Sequence, residues 1–204
     1  MPRNEEFRSI MRLLPGDEKR IHLANRGILM LDDEIDDSSY HIVTLNLLHM
    51  ASTLTPSPVW IVLNSPGGNV AQGFGIYDAV RMLVNKGRTV NILGMGHVAS
   101  MATAVMQAGS RRYSTPLTQF LVHQVRSTIG FFGMEEEVNQ GRERQQEMDR
   151  INDIVMGLIA DRAGIDLEEL KKLSEKKDFW LDPVKARELG KNGLIDEIIT
   201  KLPF

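Results

Sequence analysis

Short apolar runs rich in β-branched residues alternate along this chain with longer segments whose apolar residues recur every three or four positions. Val59–Leu63 (VWIVL) and Thr89–Leu93 (TVNIL) are typical of strands buried inside a parallel sheet. Between them, Val70–Asn85 carries an apolar stripe at helical spacing. Strands that alternate with helices predict right-handed βαβ units and a mainly parallel sheet.

The same reasoning predicts a helix at Tyr40–Ser52, for which Ser38 or Ser39 could be the N-cap. The apolar side chains expected on its inner face are Ile42, Leu45, Leu48 and Met50. The other predicted elements are strand segments within 20–31, a strand at Ser114–Val125, a long helix at Phe131–Arg162, helices at Asp166–Glu175 and Asp182–Leu189, and a strand at Leu194–Ile199.

The chain is organised around the segment that begins with the second apolar run. Gly94 and Gly96 break the strand pattern, and the residues from Ala99 onwards suit a helix that stops at Gly109. This helix is apolar nearly all round, so we expect it to be buried. Ser100 then lies at the junction of strand and helix, beside unpaired N–H groups. Taken alone, a serine in this position is most simply a helix N-cap.

Composition limits the possible functions. The chain has 204 residues, 42% of them hydrophobic, with a net charge of −3, so we expect one globular domain over 21–204 after an N-terminal arm over 1–20. This charge gives no reason to expect nucleic acid or a membrane as partner. Zero cysteines exclude disulfides and thiolate metal sites. The start lacks a signal peptide, so the expected location is cytoplasmic.

Two glycine-rich turns follow two predicted strands, so a nucleotide site is considered first. The turn after Leu63 fits neither GxGxxG nor the P-loop, because Asn69 and Phe74 stand where glycine and lysine are required. The chain also lacks the HExxH zinc pattern and the GxSxG elbow of α/β-hydrolases. We therefore expect no cofactor and no metal ion.

Acyl transfer by a serine remains, and it needs a nucleophile, a base, a group that orients the base, and donors for the oxyanion. Ser100 suits the first role, and His123 lies in the apolar strand pattern QFLVHQV. His123 could equally be a core residue, Asp178 a surface acid, and Gly67-Gly68 a simple turn. These alternatives stay open on spacing alone.

Several motifs in a fixed order resemble the proteolytic subunits of Clp proteases, from about Gly27 to Leu202. These motifs are NSPGG (64–68), GMGHVASMA (94–102), LVHQ (121–124), DFWLDPVKARELG (178–190) and GLIDEI (193–198). The resemblance implies an α/β fold of the ClpP/crotonase-like class, a spiral of ββα units with a mainly parallel sheet and a protruding helical handle. The polar first half of the long helix would form that handle.

The resemblance also implies site residues. The catalytic triad would be Ser100 as nucleophile, His123 as base and Asp178 as orienting carboxylate. The oxyanion hole would be the backbone N–H groups of Gly68 and Met101. The segment that holds the substrate strand by main-chain hydrogen bonds would be Gly67, Gly68, Asn69 and Val70.

The expected activity is that of a serine endopeptidase that hydrolyses unfolded polypeptides. The resemblance implies homo-oligomers, stacked heptameric rings around a chamber, served by an AAA+ ATP-dependent unfoldase. Two other functions remain open: a catalytically silent ring subunit that acts as a scaffold, and an acyl-CoA enzyme of the crotonase type. The Ser–His–Asp set argues against the acyl-CoA enzyme.

The sequence also departs from the family pattern. Leu31-Asp32-Asp33 replaces LGG, Val125 stands where proline is usual, Gly190–Asn192 is an insertion, and the tyrosine-rich entry segment is missing. None of these changes touches the triad, so an active peptidase is favoured. Lys176 and Lys177 replace a common Asp-Arg pair, which predicts looser and salt-sensitive pairing of rings.

Overall fold

The computed structural model describes residues 17–53, 57–125, 138–175 and 178–204. Its elements in chain order are α1 (Asp17–Asn25), β1 (Ile28–Leu31), α2 (Asp37–Ser52), β2 (Val59–Ser65), α3 (Val70–Asn85), β3 (Val90–Ala99), α4 (Met101–Met106), β4 (Arg111–Ser114), β5 (Gln119–Val122), α5 (Val138–Ala163), α6 (Leu167–Ser174), β6 (Phe179–Leu181), α7 (Pro183–Glu188) and β7 (Glu197–Ile198). The predicted start of the long helix at Phe131 and the lysines at 176 and 177 lie outside the described residues.

The seven strands form one sheet in which β1, β2, β3, β4 and β7 lie side by side and run parallel. The first half of β3 pairs with β4, and its second half pairs with β5. β6 then pairs antiparallel with β5. The predicted mainly parallel α/β sheet is confirmed, and β3 is the strand that joins its two parts.

The central strand continues further than predicted. β3 does not stop at Leu93 but runs through Gly94 and Gly96 to Ala99. Asn64 makes this possible, because its side-chain Oδ1 accepts the N–H of His97 at 3.0 Å where the register with β2 shifts. Glycine does not end a strand when a neighbouring side chain replaces the interrupted ladder.

Two other strand predictions were wrong. The segment expected as one strand at 114–125 is split, because Thr118 turns back and donates both its N–H, to Thr115, and its hydroxyl, to the Gly94 carbonyl. Helix α1 replaces the strand segments expected from residue 20 onwards, since loosely alternating apolar residues fit a helix as well as a strand. Only β1 within that region is a strand.

Helix α2 begins earlier than predicted and buries a different face. Asp36, not Ser38 or Ser39, is the N-cap, and Ser39 completes a capping box with it at position N3. The side chains that it buries are Val43, Thr44, Leu47 and Met50. Three of the four side chains predicted to face inwards are largely exposed, namely Ile42 (49%), Leu45 (57%) and Leu48 (56%).

The main core fills the space between the sheet and helices α2 to α5, and a second, smaller cluster lies against the other side of the sheet. β7 is fixed by Arg112, whose buried guanidinium bonds Asp196 and the Gly193 carbonyl. The motif GLIDEI therefore serves the fold. Among the described residues, no helix combines the length and the apolar character that crossing a membrane requires.

Candidate active site

Ser100 occupies the turn between β3 and α4 in an unusual backbone conformation. Its φ is 55° and its ψ is −127°, and it is the only non-glycine residue with positive φ in the described ranges. Although it precedes the first residue of α4, its side chain makes no capping hydrogen bond. The interpretation of Ser100 as a simple capping serine is therefore wrong. Such conformations cluster at functional sites, where surrounding structure maintains the strain.

The turn is held in this conformation by its neighbours. The N–H of Ser100 donates to the Leu121 carbonyl at 2.9 Å, and the Thr103 hydroxyl lies 3.0 Å from the carbonyl oxygens of both Val98 and Leu121. Every residue of α4 is buried, as the sequence predicted. Packing and hydrogen bonds on both sides of the turn thus fix the position of the Ser100 backbone, from which its side chain extends.

The glycine turn after β2 packs directly onto the Ser100 turn. A Cβ atom at Gly67 would lie 2.6 Å from the Cβ of Ser100 and 2.7 Å from the carbonyl oxygen of Ala99. No side chain fits in that space, and the φ of 96° at Gly67 also favours glycine. The NSPGG motif therefore brings two strand-to-helix turns into contact.

Two backbone N–H groups beside Ser100 remain available. The segment 67–69 pairs along one edge with Ile35, which donates to the Gly67 carbonyl and accepts from the Asn69 N–H, both at 2.7 Å. The N–H groups of Gly68 and Met101 have no acceptor in the part of the chain that the structure describes. Free N–H groups at a turn and at a helix start can stabilise a developing oxyanion.

His123 was predicted to lie within a strand, but it is the first residue after the end of β5. Its Nδ1 lies 2.6 Å from the carbonyl oxygen of Gln124. Because a carbonyl oxygen can only accept, Nδ1 carries the proton and Nε2 is left as the basic nitrogen. The ring is half-buried, so it is not the core histidine that the simpler interpretation offered.

Asp178 directly precedes β6, at the end where this strand meets β5. β5 and β6 are antiparallel with Val122 opposite Phe179, so His123 follows one member of the last pair of this ladder and Asp178 precedes the other, although Asp178 does not line the cavity that holds His123. Asp178 is half-buried. A residue that would be an ordinary surface acid by sequence alone therefore lies at the end of the strand that adjoins the histidine.

A cavity of about 90 Å³ collects most of the predicted site. Its lining residues are Gly68, Val70, Ser100, Met101, Val122, His123, Val125, Val155 and Ile159. The contribution of α5 to this wall was not predicted from the sequence. Val155 and Ile159 lie four residues apart on that helix, a spacing that by itself indicates only core positions.

A larger, open depression of about 970 Å³ lies between α6 and α7 and contains none of the predicted site residues. Its lining mixes acids and lysines on an open surface. Of these two cavities, only the smaller one holds the strained serine and a histidine. Within the described ranges, no three acidic or histidine side chains lie close enough together to bind a metal ion.

Comparisons with known proteins agree on one family. The sequence profile described as Clp protease matches residues 17–202. The ATP-dependent Clp protease proteolytic subunit of Porphyromonas gingivalis is 30% identical over 176 residues, which is 85% of this chain and 74% of that protein. The solved structure of a ClpP1 point mutant from Listeria monocytogenes superposes with a TM-score of 0.76, at 26% identity, over 90% of this chain and 96% of that one.

Proposed function

The chain belongs to the Clp protease family of serine peptidases, and we propose that Ser100 is its nucleophile, His123 its general base and Asp178 the carboxylate that orients and stabilises the charged base. The observation that carries this assignment is the cavity that contains both Ser100 and His123. The positive φ of Ser100, with its hydroxyl free of any capping role, supports the nucleophile. The fold of a ClpP/crotonase-like protein, shown by its likeness to the Listeria structure, agrees.

Each group then has a step in peptide hydrolysis. The Ser100 hydroxyl attacks the scissile carbonyl carbon while Nε2 of His123 takes the hydroxyl proton. The N–H groups of Gly68 and Met101 donate to the resulting oxyanion. His123 passes its proton to the leaving amine as the C–N bond breaks, which leaves an acyl ester on Ser100. Water, deprotonated by His123, then releases the acid and restores the serine.

The substrate strand would lie along the free edge of the segment 67–70. Ile35 already occupies the Gly67 carbonyl and the Asn69 N–H, so the Gly68 carbonyl and the Val70 N–H would serve the substrate strand, while the Gly68 N–H faces the oxyanion. Recognition through backbone groups tolerates many sequences. Val70, Val122 and Val155 line the adjoining cavity, which favours an apolar side chain before the scissile bond.

Members of this family form oligomeric proteolytic chambers that work with Clp unfoldases. On that basis we propose that this chain assembles as a homo-oligomer of stacked heptameric rings in the cytoplasm. Its substrates would be unfolded polypeptides delivered by an AAA+ partner that supplies the ATP hydrolysis. Exposed apolar side chains on α2, such as Ile42 and Leu45, are available for contacts between subunits.

Hydrolysis of fluorogenic peptides by the purified protein tests this function. Wild type should cleave peptides with an apolar residue before the reporter and discriminate against a charged residue at that position. Ser100→Ala should be inactive at the same assembled mass. An assembled wild type that cleaves no peptide and does not react with a fluorophosphonate would instead support the silent scaffold subunit.

A further inference from the structure

The peptide group between Gln124 and Val125 is hydrogen-bonded at both of its ends. Its carbonyl oxygen lies 2.6 Å from Nδ1 of His123. Its N–H, on Val125, donates to the side-chain Oδ1 of Asn152 at 2.9 Å. A single rigid peptide unit therefore links the imidazole to a side chain of α5.

Helix α5 holds Asn152 in a defined place. Asn152 lies one turn before Val155 and two turns before Ile159, and these two side chains form a wall of the active-site cavity. Ile151 and Val125 pack against the main core in the same region. The Asn152 amide is thus anchored by the helix face that borders the site.

The orientation of the amide follows from its partner. A backbone N–H can only donate, so the atom of Asn152 that faces Val125 must be the oxygen. The Val125 N–H is partly buried, and losing its acceptor would leave it unpaired. Hydrogen bonds in series also polarise one another, so a peptide that donates to Asn152 is a better acceptor for the His123 Nδ1–H.

We propose that Asn152 is a positioning residue for His123 and acts through the Gln124–Val125 peptide. This inference rests on the proposed role of His123 as general base. The carbonyl of Gln124 accepts the Nδ1–H and so, beside the proposed orienting carboxylate of Asp178, holds the tautomer with the proton on Nδ1, and Asn152 fixes that carbonyl. When Nε2 takes the proton of Ser100, the same carbonyl accepts from the charged ring, so the arrangement serves both protonation states.

Paired variants of Asn152 test the inference in the full-length protein. Asn152→Leu has a similar volume but no acceptor, whereas Asn152→Asp retains an oxygen acceptor. We expect Asn152→Leu to lower kcat for peptide hydrolysis, and the rate of fluorophosphonate labelling, by about 10- to 100-fold with KM within about twofold. Asn152→Asp should recover most of this loss. Asn152→Ala gives the same readout should the leucine variant not fold.

A double-mutant cycle isolates the hydrogen bond itself. Val125→Pro removes the N–H, so adding Asn152→Leu to it should change kcat by less than about threefold. If the proline variant does not fold, the leucine and aspartate variants decide the question alone. The matched control is Asn46→Leu, at an amide on α2 that donates to the Ile42 carbonyl of its own helix. It should leave kcat unchanged.

The outcomes separate the two proposals. Folded, assembled Asn152→Leu with kcat within about twofold of wild type would overturn the positioning role, as would an Asn152→Asp variant that is equally impaired. Wild-type protein without any peptidase activity would instead refute the proposed function.

Discussion

Two short helices of this protein begin directly after a strand, yet their first turns differ. α7 and α4 each have six residues. At α7, Asp182 has a common extended conformation, and its carboxylate accepts the Lys185 N–H at 2.9 Å. At α4, Ser100 has a φ of 55°, and its hydroxyl caps nothing. The Asp182 side chain therefore stabilises the start of α7, whereas the Ser100 side chain makes no capping hydrogen bond at the start of α4.

The difference shows where the fold gives up stability. A non-glycine residue in this region of backbone space typically costs about 1–3 kcal/mol. α4 offsets that cost by burying all six of its residues, whereas α7 relies on its cap and on Pro183 at the first turn. An uncapped, strained start on the more deeply buried helix agrees with the proposed role of Ser100 as a nucleophile beside free N–H donors.

The largest effect is expected from the serine itself. Ser100→Ala should lower kcat by several powers of ten, because the proposed nucleophile is removed. His123→Ala should be about equally damaging, and the double variant little worse, since the proposed mechanism makes the two residues one unit. Steady-state kinetics of all three variants measures this. Losses that simply multiply would show that the two side chains act independently.

The contact that shapes the Ser100 turn should have the next largest effect. Gly67→Ala adds a Cβ that clashes with Ser100 and forces alanine to a φ of 96°, each contributing about 1–3 kcal/mol of destabilisation. Gly87→Ala is the matched control, because φ there is 87° and, chain neighbours aside, no atom of the described residues lies within 4 Å of the added carbon. Denaturant titration should give Gly67→Ala a much lower free energy of unfolding than Gly87→Ala. Equal losses would mean that the clash is relieved by movement of the turn.

Stability and activity should move in opposite directions at Ser100. Ser100→Gly relieves the positive φ and should gain about 1–3 kcal/mol of folding free energy less the greater chain entropy of glycine, while it abolishes peptide hydrolysis. Ser100→Ala keeps the strain and should gain nothing. Thermal melting of the two variants beside wild type distinguishes them. A glycine variant less stable than the alanine variant would contradict the strain argument.

The smallest effect is expected at the other helix start. Asp182→Ala should lower the melting temperature slightly and leave kcat unchanged, because only the cap of α7 is lost. Asp182→Asn keeps the cap and should melt close to wild type. Any large fall in kcat for either variant would show that α7 has a role in the site.

The pH dependence of that small effect follows from the charge. The Lys185 N–H donates to the Asp182 carboxylate and lowers its pKa below the ordinary 3.8. A lowered pKa stabilises the folded state above the ordinary value, and the contribution is lost as pH falls through the lowered one. The gap between wild type and Asp182→Ala should therefore shrink on acidification below about pH 4. Melts of Asp182→Asn at the same pH values provide the non-titrating reference.

The elements that sequence analysis predicted well are those with an unambiguous local signal. VWIVL is apolar without interruption and became the buried strand β2, and Asp182 followed by Pro183 gave the start of α7. Helix α2 carries apolar residues on more than one face, so periodicity could not choose the buried face, and packing against β1 and α3 decided it. Tertiary contacts, absent from any sequence window, made that choice.

The candidate site divides in the same way. Motif order led to Ser100, His123, Gly68 and Met101, and the structure brings these four to one cavity. Two features of the site depend on how two turns and a strand end meet. They are the positive φ of Ser100 and the hydrogen bond from the His123 ring to the Gln124 carbonyl. Neither has a signature in residue type. Asn152 was missed for that reason, since a partly polar helix position gives no hint of a bond to a distant backbone.

Fluorophosphonate labelling followed by peptide mapping tests the central claim most directly, because such probes react only with an activated serine. We expect one adduct per wild-type chain, located on Ser100, and no adduct on Ser100→Ala. We also expect Ser100→Ala to have the same assembled mass as wild type. An adduct on another serine, or no adduct on wild type that nevertheless hydrolyses peptides, would contradict the assignment of Ser100 as the nucleophile.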